Sequence, residues 1–199
     1  ADGLGRAGVV VRVLYALDPS VVVFRVLRRL WDADLAGQPV LALLLASARD
    51  PLIRQTATAI HSVGVGNPIG PAALDEALAR MPWLGGETRK KVAVNVLSTW
   101  TQAGYLRGRA AKIRTLPVVT QSAVAYALFL GYLSGLRGIA VLASFWCQLL
   151  ELPLPDLKRL AREAAQRGWL VFKCVGEVAE VRFPNLLTPQ EEKASVEPD

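Results

Sequence analysis

Gln102-Ala103-Gly104-Tyr105-Leu106 and Gln166-Arg167-Gly168-Trp169-Leu170 are one pattern written twice, and its reading decides the fold. In each copy a helical stretch stops at a glycine, an aromatic residue and a leucine follow, and a short β-like stretch runs toward a proline, Pro117 or Pro184. A residue just past a helix end is commonly left-handed, a conformation that glycine enters without a Cβ penalty. The aromatic side chain and the leucine then return the chain to the core. The first copy predicts a helix over 87–103 and strands at 105–106 and 113–116 around a turn at 108–112. The second predicts a helix over 156–166 and strands over 169–173 and 178–183 around Cys174-Val175-Gly176-Glu177.

Helix, glycine stop, strand, turn and strand resemble the C-terminal half of a winged helix. A helix followed by a basic hairpin is one common way to meet a DNA duplex. Ahead of the first copy, 71–81 reads as a short helix carrying Asp75, Glu76 and Arg80. Trp83-Leu84-Gly85-Gly86 reads as the turn of a helix-turn-helix, with Trp83 as its core anchor.

Charge separates the two copies. Residues 87–114 hold Arg89, Lys90, Lys91, Arg107, Arg109, Lys112 and Arg114 against the single acid Glu87, a local excess that matches the +6 of the whole chain. Residues 151–183 hold six cations against five acids. Phosphate backbones attract such a patch by Coulomb interaction and counterion release, whereas a merely solvated surface intersperses its charges. Cations at the start of a helix oppose its macrodipole, so Arg89, Lys90 and Lys91 sit more favourably beside a polyanion than alone.

The rest of the chain frames these modules. Its 199 residues, 52% of them hydrophobic, are enough for one or two small domains with a sizeable core. The first residues are Ala1-Asp2-Gly3 rather than methionine, which reads as a trimmed or replaced start, and no signal-peptide layout stands out. An apolar segment at 10–17 stops at Asp18-Pro19, and Ser20 is positioned to cap a helix reaching Trp31. Arg25, Arg28 and Arg29 lie on or near one face of it, with Asp32 and Asp34 close enough to neutralise them. A nearly all-apolar helix is predicted over 39–49. Asp50-Pro51 caps the next helix, which ends near Val63, and 65–71 reads as a turn. The expected boundaries are a helical region at 1–66, a basic winged-helix-like module at 67–118, a helical connector with a second module at 119–187, and a disordered acidic tail at 188–199 that carries Glu191, Glu192, Glu197 and Pro198.

Residues 115–136 carry no charge over 22 positions, and Gly131 with Gly135 has the small-xxx-small spacing of bilayer helices. Pro117, Thr120, Gln121, Ser122 and Ser134 interrupt the run, so a buried central helix over 121–133, followed by another over 139–150, is the expectation beside the membrane-associated one. Two cysteines and one histidine cannot furnish a tetrahedral zinc site, and both Cys147 and Cys174 are expected as buried thiols of a reduced cytoplasm. His61, close to a helix end, is expected to pack or cap. No nucleotide loop, dinucleotide fingerprint or nucleophile elbow is present, so neither an enzyme nor a cofactor is expected.

The order of a helical segment over 41–60, Glu87-Thr88-Arg89-Lys90-Lys91 leading a helix, and Gln102-Ala103-Gly104-Tyr105-Leu106 closing it resembles the small BrxA proteins of BREX phage-defence systems, over residues 40–135. The resemblance implies a helical protein of winged-helix character and a non-enzymatic, DNA-binding part of a host-defence operon, with other defence-system proteins as partners. It carries over no catalytic residue. The expected fold is mainly α, a helical bundle with two winged-helix-like modules that each carry a small β-hairpin. The expected function is binding of double-stranded DNA in the cytoplasm. Arg89, Lys90 and Lys91 are expected at the major groove, and Arg107, Arg109, Lys112 and Arg114 on a basic wing. A protein adaptor working through Val171, Phe172 and Val175 is a second expectation. RNA binding is a third, although no stacking platform favours it.

Overall fold

The computed structural model describes residues 18–194, which are mainly helical with small antiparallel strand pairs. In chain order the elements are α1 (Val22–Ala33), α2 (Gln38–Arg49), α3 (Pro51–His61), β1 (Pro68–Ile69), α4 (Pro71–Leu78), α5 (Gly86–Gln102), β2 (Leu106–Arg107), β3 (Lys112–Arg114), α6 (Gln121–Leu133), a 3-10 helix (Gly138–Val141), α7 (Phe145–Leu149), α8 (Leu154–Gln166), β4 (Val171–Val175), β5 (Val178–Arg182) and α9 (Pro189–Ala194). The apolar segment at 10–17 and Glu197 and Pro198 of the tail lie outside the described residues. The described chain forms two compact units, one of 45–118 and one of 18–44 with 119–194. In this division α1 belongs with the later half of the chain. Its Val23 carbonyl accepts the Tyr126 hydroxyl of α6 at 3.0 Å.

In the unit 45–118, Asp50 caps α3 by accepting from the Leu52 N–H at 2.8 Å, with Pro51 in the first turn. Ile53, Thr56, Ala57 and Ile60 of α3, Leu74 and Leu78 of α4, and Ala93, Val96, Leu97 and Trp100 of α5 form the buried face. Gly104, at φ 86°, ends α5 as the repeat predicts. The Tyr105 N–H returns to the Trp100 carbonyl at 3.0 Å and the Gly104 N–H to that of Thr101 at 3.1 Å, the two bonds of a Schellman stop. Tyr105 is then fully buried edge-on against Trp100, with ring centres 5.0 Å apart. His61 stacks on Tyr105 and meets Trp100 edge-on, so it packs as expected.

The sheet of this unit has the order β1-β3-β2, all antiparallel, with Pro68 opposite Ile113 and Leu106 opposite Arg114. The stretch 65–71 read as a turn therefore holds a strand, and β3 is the central one. Between β2 and β3 the turn needs Gly108, at φ 104°, because a Cβ there would stand 2.1 Å from the Ala111 carbonyl oxygen. The expected core anchor Trp83 is 64% exposed, and the neighbouring Leu84 is buried in its place. One position of phase in the α4–α5 turn decides which of the two faces inward.

In the unit of 18–44 and 119–194, α6 is buried on nearly every side, from Ser122 to Tyr132. A helix without a solvated face belongs in a core, and its 13 residues are too few for a bilayer. No helix among the described residues is long and apolar enough to cross a membrane. Phe129 and Tyr132 meet Phe183 edge-on with ring centres 5.4 Å apart in each pair. The expected helix over 139–150 breaks in two, since the 3-10 helix ends before Ser144, whose hydroxyl caps α7 by accepting from the Cys147 N–H. Burial pushes the Cys147 thiol up to about 11, which keeps it protonated, whereas Cys174 is half-buried rather than buried as expected.

The second glycine stop repeats the first. Gly168, at φ 74°, follows α8, and the Trp169 and Gly168 N–H groups return to the carbonyls of Ala164 and Ala165. β4 and β5 pair from Val171–Arg182 to Val175–Val178 as a two-stranded hairpin. Two expectations at the chain ends are corrected. Ser20 turns its hydroxyl to Asp18 rather than capping α1, which starts after Val21. The described part of the tail is α9, not a disordered segment: Thr188 and Glu191 form a capping box, and Glu191 pairs with Arg25 at 2.6 Å.

Candidate nucleic-acid interface

The seven expected DNA-contacting cations occupy five kinds of place. Arg89 is held between α4 and α5 by a two-toothed bond to Asp75, at 2.7 Å from Nε and 3.3 Å from Nη2. Lys90 is exposed and bonded to Glu87 at 2.9 Å, an i,i+3 surface pair worth a few tenths of a kcal/mol and open to exchange with another anion. Lys91, Arg107 and Arg109 are exposed, and the half-buried Lys112 donates to the Gly108 carbonyl at 2.6 Å, which steadies the turn of the hairpin.

Arg114 is a correction, because its residue is 1% exposed and cannot stand on a wing surface. Its guanidinium donates to the carbonyls of Ile60 and Tyr105, each at 3.1 Å, and to that of Thr115, and lies 5.4 Å from the centre of the Tyr105 ring. One planar, multiply donating group thus joins the end of α3, the stop of α5 and the end of β3. Its role is internal.

The hydrogen bond from Arg89 holds the Asp75 carboxyl below the ordinary aspartate range. A carboxyl with a lowered folded pKa adds stability above its unfolded pKa, and that contribution fades as pH falls through the folded one. An NMR titration is expected to find Asp75 protonating below the usual range in the wild type and returning toward it in Arg89→Gln. A midpoint unchanged by that substitution would show that the pair does not persist in solution.

Two features of α5 escaped the sequence reading. Its outward face carries Thr88, Lys91, Val94, Asn95, Ser98 and Gln102, all exposed, and Val94 is 54% exposed despite being apolar. Thr88, Lys91, Asn95, Ser98 and Gln102 follow steps of three and four, so they share one face, and that spacing was the available signal. At the start of the helix, a Cβ on Gly85 or Gly86 would meet no described residue within 4 Å, and neither backbone is left-handed. Among the described residues, no packing contact requires these two glycines, and the helix start is open to close approach.

The corresponding helix of the other unit is different. On α8, Arg159 is bonded to Glu163 at 2.7 Å and Asp156 at 3.4 Å, and on the hairpin Lys173 and Arg182 both pair with Glu180. Its charge is nearly balanced, with six cations against five acids over 151–183. Arg25 is held by Glu191 and Arg29 by the Asn185 carbonyl, while Asp34, expected to neutralise them, instead accepts from Ser122 and the Gly37 N–H. No protein-family model matches the chain, and no curated protein or solved structure matches it.

Proposed function

We propose that the unit 45–118 is a winged helix that binds double-stranded DNA without catalysing a reaction, chiefly through phosphates. The observation that carries this reading is the order α3, β1, α4, α5, β2, β3 combined with the sheet order β1-β3-β2. That is the arrangement in which a winged helix sets a recognition helix beside a hairpin, and here both bear exposed cations. Lys90 and Lys91 border the major groove from the first turns of α5, and Arg107, Arg109 and Lys112 form the wing. Arg89 orients α5 on α4, and Arg114 builds the wing from inside. Following the resemblance to BrxA proteins, the DNA-binding protein belongs to a bacterial, BREX-like phage-defence system in the cytoplasm and works beside other defence-system proteins.

Fluorescence anisotropy on labelled duplex DNA, single-stranded DNA and duplex RNA across a salt series tests the reading. With five available cations, log affinity for duplex DNA is expected to fall against log salt with a slope of roughly −4 to −5, at about 0.9 per phosphate. A slope near zero, or no duplex binding at low salt, would sink it. Preference for duplex RNA would move the protein to another class of partner.

A second reading concerns the other unit alone. Val175 and Val178 close the β4–β5 hairpin and are 82% and 76% exposed, on a surface whose charges are already paired. An apolar tip of that kind favours docking to a protein, which suits an adaptor role for 119–187 alongside DNA binding by the first unit.

A further inference from the structure

We propose that α5 reads base sequence, with Asn95 bonded to an adenine and Val94 against the methyl group of a neighbouring thymine. The proposal rests on the DNA-binding reading and adds to it a base preference, which phosphate contacts do not carry.

The cations of α5 are confined to its first turns. From Val92 to Gln102 the helix has no charged residue, although its outward face is open to water. A solvated helix face ordinarily carries interspersed lysines and glutamates. The face here is instead Asn95, Ser98 and Gln102 with an exposed valine beside them, and none of these side chains makes a hydrogen bond or ion pair with a described residue. Asparagine, serine and valine are also poor helix formers, so stability does not explain their use at exposed interior positions. The helix at the same place in the second copy shows the ordinary pattern, with Arg159, Asp156 and Glu163 tied together on its surface.

Short neutral side chains let a helix approach base edges without bringing negative charge to the phosphates. Asn95 presents a donor and an acceptor in one plane, the pair that an adenine N6 amino group and N7 answer together in the major groove. Val94 offers methyl groups next to it, and the thymine C5 methyl is the apolar mark in that groove. Lys91 stands one turn before Asn95 on the same face and holds the helix to the phosphates at that depth.

Selection of the full-length protein against a randomised duplex library, followed by anisotropy on the selected and a scrambled duplex, tests this. An enriched motif containing an adenine and a thymine is expected. Asn95→Ala is expected to lower the preference for selected over scrambled duplex by about 5- to 100-fold. Its scrambled-duplex affinity and salt slope should stay at wild-type values, and its thermal midpoint at or slightly above the wild type's, because alanine is the better helix former. Deoxyuridine in place of the motif thymine should weaken the wild type and leave Val94→Ala unaffected, because deoxyuridine lacks the methyl group. Duplex binding with no enriched sequence, or a preference that Asn95→Ala changes by less than about twofold, overturns base reading and leaves phosphate binding in place. No duplex binding at all overturns both.

Discussion

Arg114→Met is expected to lower the stability of the unit 45–118 by about 3–5 kcal/mol, enough to unfold most marginal domains. Methionine fills much of the same volume but donates nothing. Three carbonyls, those of Ile60, Tyr105 and Thr115, lose their guanidinium donor together in an interior that water does not reach easily. Each lost bond to the charged guanidinium is worth about 1.5–3 kcal/mol, although the Tyr105 carbonyl keeps the Thr115 N–H and the Ile60 carbonyl the Val63 N–H, and the loss falls where α3, the stop of α5 and the central strand meet. Arg114→Lys should lie between, because a single ammonium cannot reach all three acceptors at once. Urea unfolding followed by hydrogen exchange on peptides from 45–118 reads the effect. A loss below about 1 kcal/mol would mean that the guanidinium is not what joins these elements. DNA affinity should fall in step with the folded fraction, so a folded Arg114→Met protein with abolished binding would return Arg114 to the interface.

How much of this was legible in the sequence depends on how far apart the deciding partners lie. Helix ends were, because their causes are local: Gly104 and Gly168 announce left-handed stops, Asp50-Pro51 announces a cap, and the uncharged run at 121–133 announces a buried helix. Strand β1 was not, since two residues have no periodicity and Pro68–Ile69 is a strand only through its pairing with β3. Arg114 looks like any other cation of the basic run. Its burial is set by a carbonyl 54 positions away in sequence at Ile60 and by the return of Tyr105 to the core. Trp83 and Leu84 are neighbours in a turn, where neither helix nor strand phase says which one points inward. The neutral face of α5 stood in plain view, but Asn95 and Ser98 carry no signal singly. They become a face only once the helix phase is fixed by Ala93, Val96, Leu97 and Trp100 on the opposite side.

Lys90→Glu with Lys91→Glu is expected to weaken binding sharply while leaving stability near the wild-type value, and that separation is the argument for a nucleic-acid surface. Both side chains are exposed, so little packing is lost. Carboxylates near a helix N-terminus suit its macrodipole by at most about 0.3–1 kcal/mol each at low salt, which offsets the loss of the Lys90–Glu87 pair, and the variant should melt close to the wild-type temperature. Binding should weaken by about 100-fold or more near 0.1 M salt, since each lost phosphate contact is worth roughly tenfold there, and the salt slope should shrink by about 2. Reversal of Lys158 and Arg162 on α8 supplies the control with the same change in net charge. If only total charge mattered, both variants would weaken binding alike; if α5 meets the backbone, the α8 variant should stay within about threefold of wild type at the same salt, the small change expected of a screened charge that touches no phosphate. Equal losses in the two variants would show a diffuse field in place of an interface on α5. An α5 variant that binds DNA as the wild type does would show that the basic run serves a partner other than a phosphate backbone.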